Sequence, residues 1–164
     1  MTDTQPERPQ GGCACGKVRY RLLADPVVVH CCHCRSCQRE TGSAFALNAL
    51  IETVHVELLG EAPERIDTPS DSGKGQAIMR CPTCKVAVWS HYGAAGEAAS
   101  FVRAGTLDAP SAVRPGVHIY MQSKLPWVTV TDGAEQFEQF YSGKDVVRLY
   151  GEEGAARWKA LRSA

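Results

Sequence analysis

The chain has 164 residues, of which 18 are Lys or Arg and 18 are Asp or Glu, so its formal net charge is zero. A balanced charge gives no broad positive field, and this excludes nucleic acid and anionic membranes as expected partners. A chain of this length suits one domain around a single core.

The sequence MTDTQPERPQGG at the start is polar, holds two prolines and has no apolar stretch. These features predict a flexible tail over residues 1–12 and a single domain over residues 13–164. They match neither a secretory signal nor a membrane span, so we expect a cytoplasmic protein.

Short strands separated by glycine, proline and aspartate turns are predicted for most of the chain after the tail. Alternating apolar residues indicate strands near residues 18–22 and 54–58, and residues 27–31 are a β-branched run. Further strands are predicted at 76–80, 86–90, 100–104, 117–122 and 127–131. Helical spacing occurs only late, as a short turn at 132–140 and a helix at 152–162. The pattern predicts a mainly β fold with a C-terminal helix packed on a sheet.

The eight cysteines fall into tight groups with the spacing of metal ligands. In reducing cytosol disulfides are rare, and clustered cysteines there usually bind metal or do redox work. Core filling is the alternative, but it explains single buried cysteines better than three spaced groups. We therefore interpret the groups as zinc ligands.

Cys13 and Cys15 form a CxC pair, and Cys81 and Cys84 form a CxxC pair in the sequence CPTC. Together they supply four thiolates, which satisfy tetrahedral zinc and leave no position for a substrate. Two separate half-sites are the alternative. The favoured prediction is one structural zinc that ties the N-terminal strand to a hairpin far along the chain.

The segment CCHCRSC places Cys32, Cys34 and Cys37 within one short turn. Three protein ligands are common for catalytic zinc, whose fourth position is taken by water or substrate. A thiol bound there would be deprotonated and oriented by the metal. The alternative is a second closed site completed by Cys31 or His33. Strand alternation turns Cys31 away from Cys32, however, and His33 faces away if its two neighbours face the metal.

The other histidines, His30, His55, His91 and His118, are isolated in strand-like sequence and are expected to be structural or surface residues. His118 is the best ligand candidate among them. It precedes IYMQSKLPWVTVTDG, which combines a lysine, a proline turn and a tryptophan, a composition that suits the lining of a pocket. The alternative for Trp127 is an ordinary place in the core.

Five separated motifs occur in the chain in this order: GGCACGKVRY, CCHCRSCQRETGSAF, CPTC, GTLD and HIYMQSKLPWVTVTDGAEQF. Together they resemble the family of glutathione-dependent formaldehyde-activating enzymes, over residues 11–140. The resemblance implies the Mss4-like fold, built of several small antiparallel sheets around zinc. It also implies an activity, the condensation of formaldehyde with glutathione to S-hydroxymethylglutathione, which in reverse is a carbon–sulfur lyase reaction.

Carried over by motif, the resemblance implies two zinc sites with the ligand sets already described. These are Cys13, Cys15, Cys81 and Cys84 for the structural zinc, and Cys32, Cys34 and Cys37 for the catalytic one. The second zinc, held by three thiolates, is expected to be labile. The chain departs from the family at Lys85, where a glycine commonly follows the CxxC pair. This predicts a less relaxed turn if the position needs a positive φ.

The leading hypothesis is a zinc enzyme in which a small thiol such as glutathione binds at the open site and attacks a carbonyl such as formaldehyde. Arg39, Arg103 and Lys124 are candidate partners for the glutathione carboxylates, and Trp127 is a further candidate contact. One alternative is a thiol carrier without catalysis. Another is a zinc-containing protein-interaction module, as in other branches of the same fold. Exposed strand edges also favour a homodimer.

Overall fold

The structure is a computed structural model that describes residues 8–163. Within that range the chain forms eleven strands, two α-helices and five short 3-10 turns. The strands are β1 (Gln10–Gly12), β2 (Arg19–Leu22), β3 (Val28–Cys32), β4 (Ala46–Glu52), β5 (Val56–Leu58), β6 (Glu64–Thr68), β7 (Gln76–Arg80), β8 (Ala87–Tyr92), β9 (Ala99–Arg103), β10 (Val117–Ile119) and β11 (Glu135–Gln136). The α-helices are α1 (Arg35–Thr41) and α2 (Val146–Leu161), and the 3-10 turns are Thr53–His55, Ala104–Thr106, Pro110–Ala112, Met121–Ser123 and Gly143–Asp145.

The strands form two sheets. The smaller is antiparallel, with the order β1-β2-β5. The larger has the order β11-β10-β3-β4-β9-β8-β7-β6, and its two parallel pairings are both made by β10, with β3 on one side and β11 on the other. The pairing with β3 sets His118 beside Cys31 and Ile119 beside Cys32. Strand β10 therefore supports the end of β3 at which the CCHCRSC segment begins.

The apolar interior has two parts, separated by the central strand β4. Successive side chains of a strand point to opposite faces, so Ala49 and Ile51 pack on one face of β4, and Ala46 and Leu50 pack on the other. The first core consists of Cys13, Val18, Tyr20, Leu22, Val29, Ala49, Ile51, Cys81, Val88, Trp89, Val102 and Leu107. The second core consists of Val27, Val28, Cys32, Cys37, Ala46, Leu50, Ala99, Phe101, Val117, Ile119, Tyr141 and Tyr150. Each core thus contains cysteines from a different group.

Helix α2 covers the second core and is fixed there by polar contacts as well as by packing. The hydroxyl of Tyr150 hydrogen-bonds the hydroxyl of Tyr141, which lies 2.6 Å from Nε2 of the buried His30. The guanidinium of Arg157 donates two hydrogen bonds, of 2.7 and 2.5 Å, to the carboxylate of Glu52 at the end of β4. These contacts join the end of the chain to the central sheet.

The predicted mainly β fold with a C-terminal helix is confirmed. The helix begins earlier than predicted, at Val146, and Gly151 interrupts it with φ 71° and ψ 169°, so its regular second part starts where the prediction placed the whole helix. Two local predictions are wrong, because residues 127–131 form no strand and residues 132–140 form no helix but contain β11. Strands β4 and β6 and helix α1 are absent from the sequence prediction.

The predicted tail over residues 1–12 falls partly outside the described residues, which begin at residue 8. Gln10–Gly12, at the end of that segment, form β1 and pair with β2. Ordered structure therefore begins before the first cysteine. None of the helices within residues 8–163 combines the length and the apolar character that a membrane crossing requires.

Candidate metal centres

The first cysteine group, Cys13, Cys15, Cys81 and Cys84, is brought together from two distant turns. Cys13 and Cys15 follow β1, and Cys81 and Cys84 follow β7. The sulfur of Cys15 lies 3.5 Å from that of Cys13 and 3.6 Å from that of Cys81, and all four sulfurs lie within 4.8 Å of one another. Four thiolates at about 2.3 Å from a tetrahedral zinc stand about 3.8 Å apart, so the donor set fits zinc.

Backbone N–H groups point at these sulfurs. The N–H of Val18 donates to the sulfur of Cys13 at 3.3 Å, and the N–H of Cys84 donates to the sulfur of Cys81 at 3.5 Å. A hydrogen bond from the Val86 N–H is the main reason that the pKa of Cys84 is lowered to about 6. The turns therefore favour the thiolate form that binds zinc.

The CPTC turn closes with the N–H of Lys85 donating to the carbonyl of Cys81 at 3.0 Å. Lys85 has φ 63°, in the left-handed region that favours glycine. The sequence predicts a strained turn if position 85 has a positive φ, and it does. Lys85 has a Cβ and is therefore less relaxed at this φ than glycine would be.

The second cysteine group, Cys32, Cys34 and Cys37, lies where β3 turns into α1. Cys32 ends β3, Cys34 is the N-cap of α1, and Cys37 lies in its first turn. The sulfur of Cys34 accepts the N–H of Cys37 at 3.3 Å, and the three sulfurs lie within 4.8 Å of one another. Cys32 and Cys37 are buried, whereas Cys34 is partly exposed. The group offers three thiolates on one rigid turn, which fits zinc with one position free.

The three thiols of the second group differ in how readily each loses its proton. Hydrogen bonds from the thiols of Cys32 and Cys37 lower the pKa of Cys34 to about 3, and backbone N–H groups at the start of α1 add to the effect. The same hydrogen bonds, together with burial, raise the pKa of Cys32. The negative charge of the group therefore concentrates on Cys34, the sulfur that is partly exposed.

Cys31 and His33 face away from the second group, as strand alternation suggests. Their side chains meet that of His118 to form a third group, in which the sulfur of Cys31 lies 3.6 Å from Nε2 of His33. All three residues are buried, and burial lowers the pKa of His33 to about 4. Nδ1 of His118 lies 3.0 Å from Nε2 of His33, and its Nε2 lies 2.8 Å from a carboxylate oxygen of Asp132.

The third group is the part of the site that sequence reasoning missed. His118 was interpreted as an isolated histidine because nothing in the sequence indicates that β10 pairs with β3. The composition of the segment after His118 was the available signal, but it pointed to a pocket rather than to a contact with His33. Asp132, which holds His118, carries no motif of its own.

The four candidate substrate contacts lie in different surroundings. Arg39 and Trp127 line one cavity of about 460 Å³, together with Arg35, Gln38, Gly42, Ser43, Ala44 and Leu125. Trp127 is 73% exposed, so it is not part of the core.

Arg103 is buried in β9, where its guanidinium donates to side-chain oxygens of Asn48 and Ser90. The ammonium of Lys124 donates to the backbone carbonyls of residues 125 and 128. The structure thus brings Arg39 and Trp127 together and places Arg103 and Lys124 elsewhere.

Comparison with known proteins finds a family whose model matches a large part of the chain. The family model described as glutathione-dependent formaldehyde-activating enzyme matches residues 8–123, well over half of the sequence. None of the curated proteins matches. Among solved structures, the crystal structure of a Rhodobacter sphaeroides protein covers 78% of this chain and 99% of its own, with 16% identity and a TM-score of 0.46.

Proposed function

Because the chain belongs to the family of glutathione-dependent formaldehyde-activating enzymes, we propose that it joins a small thiol such as glutathione to a small aldehyde such as formaldehyde. The thiol sulfur bonds to the carbonyl carbon, the carbon–oxygen π bond opens, and the thiol proton ends on the new hydroxyl. No oxidant or reductant is needed. The reverse reaction is that of a carbon–sulfur lyase.

The observation that carries the proposal is the ligand count of the second group. Cys32, Cys34 and Cys37 would hold a zinc with one position free, whereas the four cysteines of the first group would hold a closed, structural zinc. When bound, the second zinc would supply Lewis acidity at its free position and lower the pKa of an incoming thiol. Both sites require reduced cysteines, so we place the protein in the cytoplasm.

Helix α1 supports the proposal because it carries part of the second cysteine group and also lines a cavity. Cys37 lies on α1 with Arg35 and Arg39, and the two arginines line the cavity of about 460 Å³. A helix of seven residues is about 10 Å long, which is comparable to an extended tripeptide. We propose that Arg39 pairs with a glutathione carboxylate there and that Trp127 covers the bound peptide.

The other two candidates have weaker support. The guanidinium of Arg103 is buried and already bonded to Asn48 and Ser90, and the ammonium of Lys124 is bonded to backbone carbonyls. Those bonds already hold both cations in place, although Nε of Arg103 is buried without a hydrogen-bond partner within residues 8–163. The structural role of both residues is therefore the better explanation, and we assign thiol recognition to Arg39 and Trp127.

The test is a calorimetric titration of the zinc-loaded protein with glutathione, followed by a formaldehyde-consumption assay. Cys34→Ser should abolish glutathione binding and formaldehyde consumption while the first zinc stays bound. Cys31→Ala is the matched control, since it removes the neighbouring cysteine whose side chain lies on the other face, and it should keep both activities. Arg39→Ala should weaken glutathione binding about 10-fold, the effect of losing one charge-assisted hydrogen bond.

Each outcome separates the proposed enzyme from its alternatives. Binding of glutathione without consumption of formaldehyde would replace the enzyme with a thiol carrier. No binding of glutathione or another small thiol to protein that holds two zinc ions would exclude both, and would leave a protein-interaction module. Loss of activity in Cys31→Ala as complete as in Cys34→Ser would overturn the assignment of the ligand set.

A further inference from the structure

Asp132, His118 and His33 form a line of hydrogen bonds that ends at His33, the residue between Cys32 and Cys34 in the chain. The Asp132 carboxylate only accepts, so Nε2 of His118, 2.8 Å away, carries the hydrogen of that bond. With its Nε2 protonated, a neutral His118 presents the lone pair of Nδ1 to Nε2 of His33 at 3.0 Å. Nε2 of His33 must then be the donor. The tautomers of both rings follow from the carboxylate at one end.

A metal ion between Cys31, His33 and His118 is the competing interpretation, and the geometry of the two rings argues against it. The ring centroids are 5.3 Å apart, and 3.0 Å of this is the distance between the facing nitrogens. The rest is about two ring radii, so both nitrogens lie on the line that joins the rings. Two zinc-bound imidazoles would point at a common ion off that line, with nitrogens about 3.3 Å apart. A direct hydrogen bond fits the distances better.

The backbone of His33 is held as firmly as its ring. Its N–H donates to the carbonyl of Ile119 at 3.0 Å, and its carbonyl accepts the amide of Gln38 at 2.7 Å. The same amide donates to the carbonyl of Ser123 at 2.9 Å. His33 is 0% exposed, so water does not compete for these bonds. The residue between the first two cysteines of the second group is therefore fixed to the segment that follows β10.

We propose that Asp132, His118 and His33 are positioning residues that hold the turn of Cys32, Cys34 and Cys37 in its metal-binding shape. This inference rests on the proposed second zinc site. The line of bonds ties the turn to His118, 85 positions further along the chain, and it fixes the turn before metal binds. A turn held in this way loses less conformational freedom on binding zinc. Loss of such supporting hydrogen bonds typically weakens metal binding 10- to 100-fold, about the range expected here.

The experiment uses substitutions of Asp132, whose side chain is 35% exposed and therefore replaceable without opening the core. Asp132→Ala removes the acceptor for His118, whereas Asp132→Asn keeps an oxygen in the same place. Asp108→Ala is the control, because Asp108 accepts two hydrogen bonds from Arg19 in the other sheet. Zinc affinity of the full-length protein is measured by competition with a chromogenic chelator, and the geometry of the second site is followed in the visible spectrum after Co²⁺ replacement.

We expect Asp132→Ala to weaken the second zinc by about 10- to 100-fold, to shift the Co²⁺ bands of that site, and to leave the first zinc unchanged. Asp132→Asn and Asp108→Ala should stay close to the unmodified protein. Unchanged affinity and spectrum in Asp132→Ala would overturn the inference and leave the proposed function standing. Equal weakening of both zinc ions with a fall in melting temperature would also overturn it, since the role would then be general stability.

Two results with the unmodified protein separate this inference from its premises. Uptake of a third metal ion that is lost in Cys31→Ala would mean that the third group binds metal, and would overturn the hydrogen-bonded interpretation alone. Uptake of a single zinc would remove the second site itself, so the proposed function would fail together with the inference.

Discussion

The two cysteine groups use the same ligand chemistry but make very different demands on the chain. The first joins residues that are far apart, since Cys81 comes 66 positions after Cys15, and it contributes to the first core. The second lies within one turn and contributes to the second core. Closing a loop of 66 residues with a cross-link is worth about 4 kcal/mol by the chain-entropy relation, against about 2 kcal/mol for a loop of six. With zinc bound as proposed, the first group would help to fold the protein, whereas the second would depend on a chain that is already folded.

The largest expected effect tests this difference directly. Cys81→Ser should lower the free energy of unfolding by about 4 kcal/mol or more, because it opens the long loop and weakens the structural zinc. Cys34→Ser should lower it by about 2 kcal/mol or less. Chemical denaturation of the two zinc-loaded variants gives both values. An equal loss of unfolding free energy in the two variants would show that the two groups do not differ in their contribution to stability.

Zinc release gives a second test with a smaller expected effect. Structural zinc binds with about 10–16 kcal/mol, which is about 3 kcal/mol for each of four ligands if they contribute equally. The second zinc has one thiolate fewer, so its affinity should be about 100-fold lower. A chelator should therefore remove it first, at a concentration about 100-fold lower than the first zinc requires. Stepwise titration with a zinc indicator measures the two releases. Cys31→Ala should give the same two steps, and a single step in the unmodified protein would contradict the assignment.

The contact that fastens α2 over the second core predicts a pH effect of about 2 kcal/mol. Hydrogen bonds from Arg157 lower the pKa of Glu52 from 4.5 to about 2. A carboxyl with a lowered pKa contributes its stability above about pH 5, and the contribution is lost as the pH falls towards about 2. Glu52→Gln should thus cost about 2 kcal/mol at neutral pH.

The difference between Glu52→Gln and the unmodified protein should shrink as the pH is lowered through that range, and denaturation at a series of pH values checks it. Glu61→Gln is the matched control, because Glu61 makes only an exposed pair with Lys17. A difference that stays constant with pH would show that the charge of Glu52 is not the cause. At neutral pH the first zinc should stay bound in both variants, which would limit the effect to the second core.

The smallest expected effect concerns the turn of the first group. Lys85 has φ 63°, which costs a residue with a Cβ about 1 kcal/mol or more, while glycine has a cost of its own in the unfolded chain. Lys85→Gly should therefore raise the free energy of unfolding by about 0.5 kcal/mol. Loss of the exposed pair with Glu64 contributes little. Lys85→Ala, which keeps the strain, should bring no gain in a thermal unfolding experiment, and a gain equal to that of glycine would refute the role of φ.

Local spacing was enough to predict which cysteines of each motif lie together and that Cys31 and Cys32 point in opposite directions. Period-2 alternation does not depend on the rest of the fold. The same rule failed for β4, whose sequence ALNALIE is buried on both faces and has no alternation to detect. Helix α1 has only seven residues and begins inside the cysteine motif, so it gives no helical periodicity of its own.

Contacts and backbone angles that the local pattern does not encode explain the other errors. Residues 127–131 have β propensity. In a strand the carbonyl of Val128 would accept a hydrogen bond from a neighbouring strand, but here it accepts one from the ammonium of Lys124 at 2.7 Å. In residues 132–140, Gly133 has φ 78° and residues 135–136 pair with β10. The contact between His33 and His118 depends on a parallel pairing across 85 positions, and no local pattern encodes such a partner.

The late position of Asp132 in the sequence also sets the order in which the parts of the two groups are synthesised. All ligands of the first group have been translated once Cys84 is added, but the support of the second group needs Asp132, which comes 48 residues later in the numbering. At about 5–20 residues per second, this interval lasts about 2–10 s. Throughout that time the nascent chain already has all four cysteines of the first group, whereas the turn of the second group lacks the support proposed for Asp132. Chemical damage to reactive thiols would therefore be concentrated on the second group in the newly made protein.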